Sequence, residues 1–163
     1  MKHNASYRLA ETLGSRLKNL NLRLALAESC TGGGIASAVT DIPGSSHWFD
    51  RGFVTYSNQA KVDMLGVRQT TLESVGAVSS ETALEMAAGA LAHSDAELVL
   101  AVTGIAGPDG GSSEKPVGTV FVAWQRRGEA GCWARKLFAG NRQAVRRQVV
   151  EFSLQQLLEL VGG

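Results

Sequence analysis

The stretch AESCTGGG, residues 27–34, sets a serine and a cysteine side by side, adds a threonine and ends in three glycines, directly after the apolar run RLALA. Ser29 and Cys30 are both nucleophile types. A hydroxyl or thiol at the end of a strand, followed by a tight glycine turn into a helix, lies beside free backbone N–H groups. Such groups hold a phosphate or the oxyanion of an acyl-transfer intermediate. The plainer reading is that Ser29 or Thr31 caps the helix and the glycines only turn the chain. The stretch matches neither the G-x-G-x-x-G nor the G-K-[ST] phosphate motif, and it lacks the G-x-S-x-G elbow. A serine nucleophile here therefore draws its base from elsewhere. His3 is near the chain end and His93 at a helix end, so only His47 approaches the region, and no Ser-His-Asp set emerges. TYSNQAKVDML offers Lys61, five residues after Tyr56. A lysine acts as a base when burial lowers its pKa enough to leave it neutral. Otherwise it is a solvated surface charge, the commoner fate of lysine. Cys30 competes with Ser29 as nucleophile, although no histidine or metal pattern nearby would activate its thiol.

These residues need elements to carry them. Leu9, Leu13, Leu17 and Leu20 recur at helical spacing over residues 6–20. RLALAE then reads as a strand, and the glycine turn opens a helix of small residues through about Val39, closed by DIPGSS. RGFVTYS reads as a strand and NQAKVDML as a short helix ended by Gly66. Thr70 and Glu73 have capping-box spacing, and Ser79 caps a helix whose Leu84, Ala87, Ala88 and Leu91 share a face. ELVLAVTGIAG is a buried-type strand running into the polar loop GIAGPDGGSSEKPVG. TVFVAWQRR and GCWARKLFAG flank Gly128 as an antiparallel hairpin, and Asn141 caps a final helix. The expected fold is α/β, a single domain over residues 1–163 with a mixed sheet and helices packed on both faces. In such folds ligands collect at the carboxyl ends of strands, where ESCTGGG and TGIAGPDGG both fall.

Composition narrows the function classes. A chain of 163 residues with 44% hydrophobic content fits one core. Sixteen basic against fifteen acidic residues leave a net charge of +1, which advertises no nucleic acid and no anionic membrane. Two cysteines build no disulfide framework, and no Cys/His spacing suits zinc. With no signal-peptide pattern and no apolar run long enough to span a bilayer, a soluble, unprocessed, cytoplasmic protein is expected. Trp48, Trp124 and Trp133 read as packing residues. Arg142, Arg146 and Arg147 form a basic cluster with at least one member in solvent, and Lys115 either touches phosphate or keeps its loop soluble.

AESCTGGGIASAVTDIPGSSHWFDRGFVTYSNQAKVDMLGV, GAVSSETALEMAAGAL and VTGIAGPDGGSSEKPVGTVFVAW together resemble the C-terminal domain of the CinA (competence/damage-inducible) family, in its stand-alone amidohydrolase form. The likeness covers nearly the whole chain and is weakest before Leu22 and across the hairpin and last helix. The larger N-terminal domain of full-length members is not in this sequence, and its activities are not carried over. The resemblance implies hydrolysis of nicotinamide mononucleotide to nicotinate mononucleotide and ammonia in pyridine nucleotide (NAD) recycling, with no metal and no cofactor. It makes Ser29 the nucleophile, Lys61 its general base and Tyr56 an assistant, in the patterns S-C-T-G-G and Y-x-N-x-x-K. It implies that the loop opening with Thr103 and Gly104 lines the substrate site and that Arg142 reaches the phosphate. On that assignment Thr31, Gly32, Gly33 and the neighbouring Gly34 amide shape the oxyanion site and Cys30 packs inward. The expected partner is the small-molecule substrate, with neither nucleic acid nor membrane, and a homo-oligomer, a dimer, is expected. The other class in view is a non-catalytic nucleotide-binding or protein-interaction module related to competence and damage responses.

Overall fold

The computed structural model describes residues 3–162, so residues 1, 2 and 163 of the expected domain lie outside it. In chain order the elements are α1 (Ala5–Leu20), β1 (Leu24–Glu28), α2 (Gly34–Thr40), a 3-10 turn (Ser45–His47), β2 (Phe49–Val54), α3 (Asn58–Leu65), α4 (Gln69–Val75), α5 (Ser80–Ala92), β3 (Leu98–Gly104), β4 (Thr119–Arg126), β5 (Cys132–Leu137) and α6 (Arg142–Gly162). Local chemistry sets several of these boundaries. Ser79 accepts the Thr82 N–H at 3.2 Å to start α5, and Asn141 accepts the Ala144 N–H at 2.9 Å to start α6. The capping box expected at Thr70 does not form. α4 begins two residues earlier than that box requires, with Arg68 at the N-cap position and no side-chain cap. The carboxylate that organises this segment comes from α5 instead: Glu85 accepts the Arg68 N–H at 2.9 Å and the Thr71 hydroxyl at 2.6 Å.

The strands form one five-stranded sheet in the order β2-β1-β3-β4-β5. β1 pairs in parallel with β2 and β3, while β3–β4 and β4–β5 are antiparallel, giving the mixed sheet that the alternation of elements suggests. Every residue of β1 is buried, because helices cover it on both faces. Leu24 and Leu26 point toward α1, α2 and α6, packing with Leu13, Leu17, Ile35, Val149 and Leu154. The alternate residues Ala25 and Ala27 face α3, α4 and α5, packing with Leu65, Leu72, Met86 and Ala87. Small residues on that side bring α5 close to the sheet. α5 in turn holds α3 close, since a Cβ on Gly89 would overlap the Leu65 carbonyl at the end of α3. Trp48 fills the α1 side and is buried, and Trp124 is half-buried. Trp133 also packs, tilted against Phe121 at 6.0 Å between ring centroids, but on the edge strand β5 it stays 49% exposed. None of the described helices is long and apolar enough to cross a membrane.

The chain leaves β1 for β2 on one side of it and reaches β3 on the other. A crevice opens at the carboxyl ends of strands that part in this way. The residues that succeed β1 and end β3 are Ser29 and the Thr103–Gly104 pair.

Candidate active site

Ser29 is held where β1 ends by its N–H, which donates to the Val102 carbonyl of β3 at 3.1 Å. The chain then turns tightly. The Gly32 N–H donates to the Ser29 carbonyl at 3.0 Å and the Gly34 N–H to the Thr31 carbonyl at 2.9 Å. Gly32 and Gly33 have φ of 57° and 97°, a left-handed backbone that suits glycine and would strain the other residues. The carboxylate of Glu28, the last residue of β1, is buried and caps both the turn and the start of α2. Oε1 accepts the Thr31 hydroxyl at 2.6 Å and the Ile35 N–H at 2.9 Å, and Oε2 accepts the Ala36 N–H at 2.9 Å. Neither Ser29 nor Thr31 therefore caps α2 directly.

Lys61 comes to Ser29 from α3. Ser57 starts that helix by accepting the Ala60 N–H at 3.0 Å, and Gly66 ends it in a left-handed conformation. With Leu65 docked against α5, the first turns of α3 aim the lysine inward, and the residue is 1% exposed. Its Nζ lies 3.1 Å from Ser29 Oγ, 3.0 Å from the Thr55 carbonyl and 3.3 Å from the Tyr56 carbonyl. No carboxylate contacts the amine among the described residues, and desolvation holds its pKa below the ordinary lysine value. The amine is placed to donate to all three oxygens, and in its neutral form two N–H groups would serve the two carbonyls and leave the lone pair for the serine hydroxyl. Cys30 behaves in the opposite sense to an activated thiol. Burial pushes its pKa up to about 11, so the thiol stays protonated at neutral pH.

A cavity of about 270 Å³ opens over this pair. Ser29, Cys30, Lys61 and Asn58 line it on one side, the loop from Thr103 to Gly110 on the other, and Tyr56 and Arg142 at its rim. Thr103 is anchored by donating its hydroxyl to the Ala77 carbonyl at 2.9 Å. Arg142 opens α6, donating Nη1 to the Gly107 carbonyl at 2.7 Å and Nη2 to the Tyr56 hydroxyl at 2.8 Å. The described His, Cys, Asp and Glu side chains form no group of three or more suited to a metal ion.

The likeness to known proteins extends over nearly the whole chain. Residues 6–161 match the model of the CinA C-terminal domain. The chain belongs to the CinA C-terminal domain family. It is 54% identical over 150 residues to the nicotinamide-nucleotide amidohydrolase PncC of Shigella flexneri, covering 91% of this chain and 90% of that one. It is 52% identical over 152 residues to the protein of the same name from Pseudomonas putida, covering 93% and 94%. Among solved structures, the competence/damage inducible protein CihA from Agrobacterium tumefaciens superimposes with a TM-score of 0.94 at 46% identity, covering 98% of each chain.

Within this CinA domain the structure brings together Ser29, Lys61, Thr103, Gly104, Tyr56 and Arg142 around one cavity. It treats the other expected residues differently. Thr31 is buried with its hydroxyl on Glu28, so it is not a lining residue. Gly32 and Gly33 also lie outside the lining, and the Gly32 and Gly34 amides are engaged inside the turn rather than facing the cavity. Tyr56 reaches Lys61 through its backbone carbonyl, while its 60%-exposed side chain turns to Arg142. Lys115 does not line the cavity either. Its Nζ donates to the Val75 and Val78 carbonyls, tying the glycine loop to the start of α5. Glu28 escaped the sequence reading, although a carboxylate ending an otherwise apolar strand was its signal.

Proposed function

We propose that this chain is a nicotinamide-nucleotide amidohydrolase, converting nicotinamide mononucleotide to nicotinate mononucleotide and ammonia by a Ser29–Lys61 mechanism in pyridine nucleotide recycling. The observation that carries the reading is the 3.1 Å approach of Ser29 Oγ to a buried Lys61 amine with a lowered pKa, at the floor of the cavity. The names of its relatives, which span nearly the same length, support the substrate.

In this mechanism Ser29 Oγ bonds to the carboxamide carbon while its proton passes to Lys61 Nζ. The tetrahedral oxyanion takes its hydrogen bonds from the Cys30 and Thr31 backbone N–H groups after Ser29, which the turn itself does not use. Its collapse breaks the C–N bond, and Lys61 returns the proton to the departing nitrogen, which leaves as ammonia. Water then attacks the acyl-Ser29 ester, giving one proton to Lys61, and the carboxylic acid leaves as Lys61 reprotonates Ser29. The sum is amide plus water to acid plus ammonia. Arg142, oriented by Tyr56 and the Gly107 carbonyl, pairs with the phosphate at the rim. A module that only binds nucleotide has no use for an amine stripped of water against a hydroxyl, so the non-catalytic reading is not favoured.

The test is ammonia release from nicotinamide mononucleotide by the purified protein and by Ser29→Ala. Release by the wild type alone is expected. No release by either protein, or equal release by both, overturns the reading.

A further inference from the structure

The turn bearing Ser29 is gripped from outside the cavity by a side chain that the proposed mechanism does not use. Arg142 and Arg146 stand four residues apart, on one face of α6. Arg142 lines the cavity and Arg146 does not. The half-buried Arg146 guanidinium goes instead to the backbone: Nε donates to the Cys30 carbonyl and Nη2 to the Thr31 carbonyl, each at 3.1 Å. Two donors of one planar fork on two successive carbonyls set the orientation of two successive peptide units. In a trans peptide the N–H points away from the C=O, so drawing both carbonyls toward α6 turns the Thr31 and Gly32 N–H groups the other way. The Gly32 N–H closes the turn onto Ser29. The Cys30, Thr31 and Gly33 N–H groups have no acceptor in another of the described residues, and of these three the Thr31 N–H lies in a peptide whose carbonyl Arg146 holds. Val145 and Val149 bury the flanks of α6 in the core, so the fork projects from a rigid element.

Resting on the amidase reading, we infer that Arg146 is a positioning residue for that reaction. Through the carbonyls of Cys30 and Thr31 it fixes the turn that carries Ser29 and, with it, the Thr31 N–H as a donor for the oxyanion, and its charge offsets the negative ends of two carbonyls close to where negative charge develops. The competing role for an arginine of this cluster is to bind the substrate's phosphate directly.

The experiment measures kcat and KM separately for wild type, Arg146→Ala and Arg146→Lys, on nicotinamide mononucleotide and on its riboside, with thermal melts to verify folding. A displaced oxyanion donor slows the chemical step, so kcat of Arg146→Ala falls about ten- to a hundred-fold with KM within about threefold of wild type. The loss is the same on both substrates. Arg146→Lys recovers little, since one ammonium cannot hold two carbonyls in a fixed fork. Added free guanidinium raises the kcat of Arg146→Ala and leaves wild type unchanged. If Arg146→Ala does not fold, Arg146→Lys carries the test by its own drop in kcat. A raised KM confined to the mononucleotide makes Arg146 a phosphate ligand and overturns the inference, as does a fully active Arg146→Lys. A wild type that releases no ammonia overturns the amidase reading, whereas an active wild type matched by both variants overturns the positioning role alone.

Discussion

Replacing Lys61 by methionine isolates the energetics of the buried amine from its chemistry. The side chain is 1% exposed, and its amine meets two carbonyls and a hydroxyl with no anion among the described residues in contact to balance a charge. Burial lowers its pKa below 10.5, the value it regains on unfolding. Between those two values the unfolded chain carries a proton that the native protein lacks, so stability rises with pH through the window. The slope approaches about 1.4 kcal/mol per pH unit for one proton. Below the lowered value both states hold the proton, the slope vanishes, and the native protein bears the full penalty of a buried ammonium. Methionine keeps most of the stem's packing and has nothing to titrate, and it leaves the Thr55 and Tyr56 carbonyls short of a donor at about 1 kcal/mol each. Urea unfolding of both proteins across a series from neutral pH to about pH 10 reads the difference. Wild type gains on Lys61→Met as pH rises, and the kcat/KM of wild type rises over the same pH range in which the amine loses its proton. Parallel stability curves across the series would mean that Lys61 keeps its proton in the native state, and the general-base assignment would fall with that result.

Ser29→Ala is expected to be folded and inactive while Cys30→Ala keeps most of its kcat, and thiol labelling at neutral pH should mark the exposed Cys132 and spare Cys30. An inactive but folded Cys30→Ala beside an active Ser29→Ala would reverse the assignment. Arg142→Ala removes a charged hydrogen bond worth roughly 1.5 to 3 kcal/mol and should lower kcat/KM for nicotinamide mononucleotide by about one to two orders of magnitude, with little change for the riboside. Equal losses on both substrates would assign Arg142 to the fold or the chemical step. Gly89→Ala drives a methyl into the Leu65 carbonyl and should lower the melting temperature and displace α3, so that kcat falls as well. An unchanged melting temperature would show that α3 docks with slack.

The features legible in the sequence are those that repeat locally. The spacing of Leu13 and Leu17 marks α1, the glycine after NQAKVDML ends α3, and Ser79 and Asn141 cap the helices they precede. The two loops that meet at the cavity were legible for the same reason, since strand ends and glycine turns are local signals. Thr70 and Glu73 carried the correct local spacing, and it misled because Glu85, distant in sequence, supplies the carboxylate through space. The same limit hid the pairing of the Tyr56 hydroxyl with Arg142 and left Arg146 as one member of a basic cluster, whereas Glu28 caps residues only three to eight positions ahead. Trp133 packs on Phe121 as its type suggests, and only the strand order shows that it does so on an edge, half in solvent.

Glu28 divides two duties that neighbouring residues of such a turn often share. Because its carboxylate takes the Thr31 hydroxyl and the first N–H groups of α2, the hydroxyl of Ser29 has no part in keeping the turn folded. Removing that one oxygen leaves the scaffold intact, with Lys61, the loop from Thr103 and Arg142 still in place around the cavity. The alanine protein is thereby a ready-made trap: soaked with amide nucleotides it would retain them whole, and the order in which it retains them would rank the cavity's preferences with turnover taken out of the comparison.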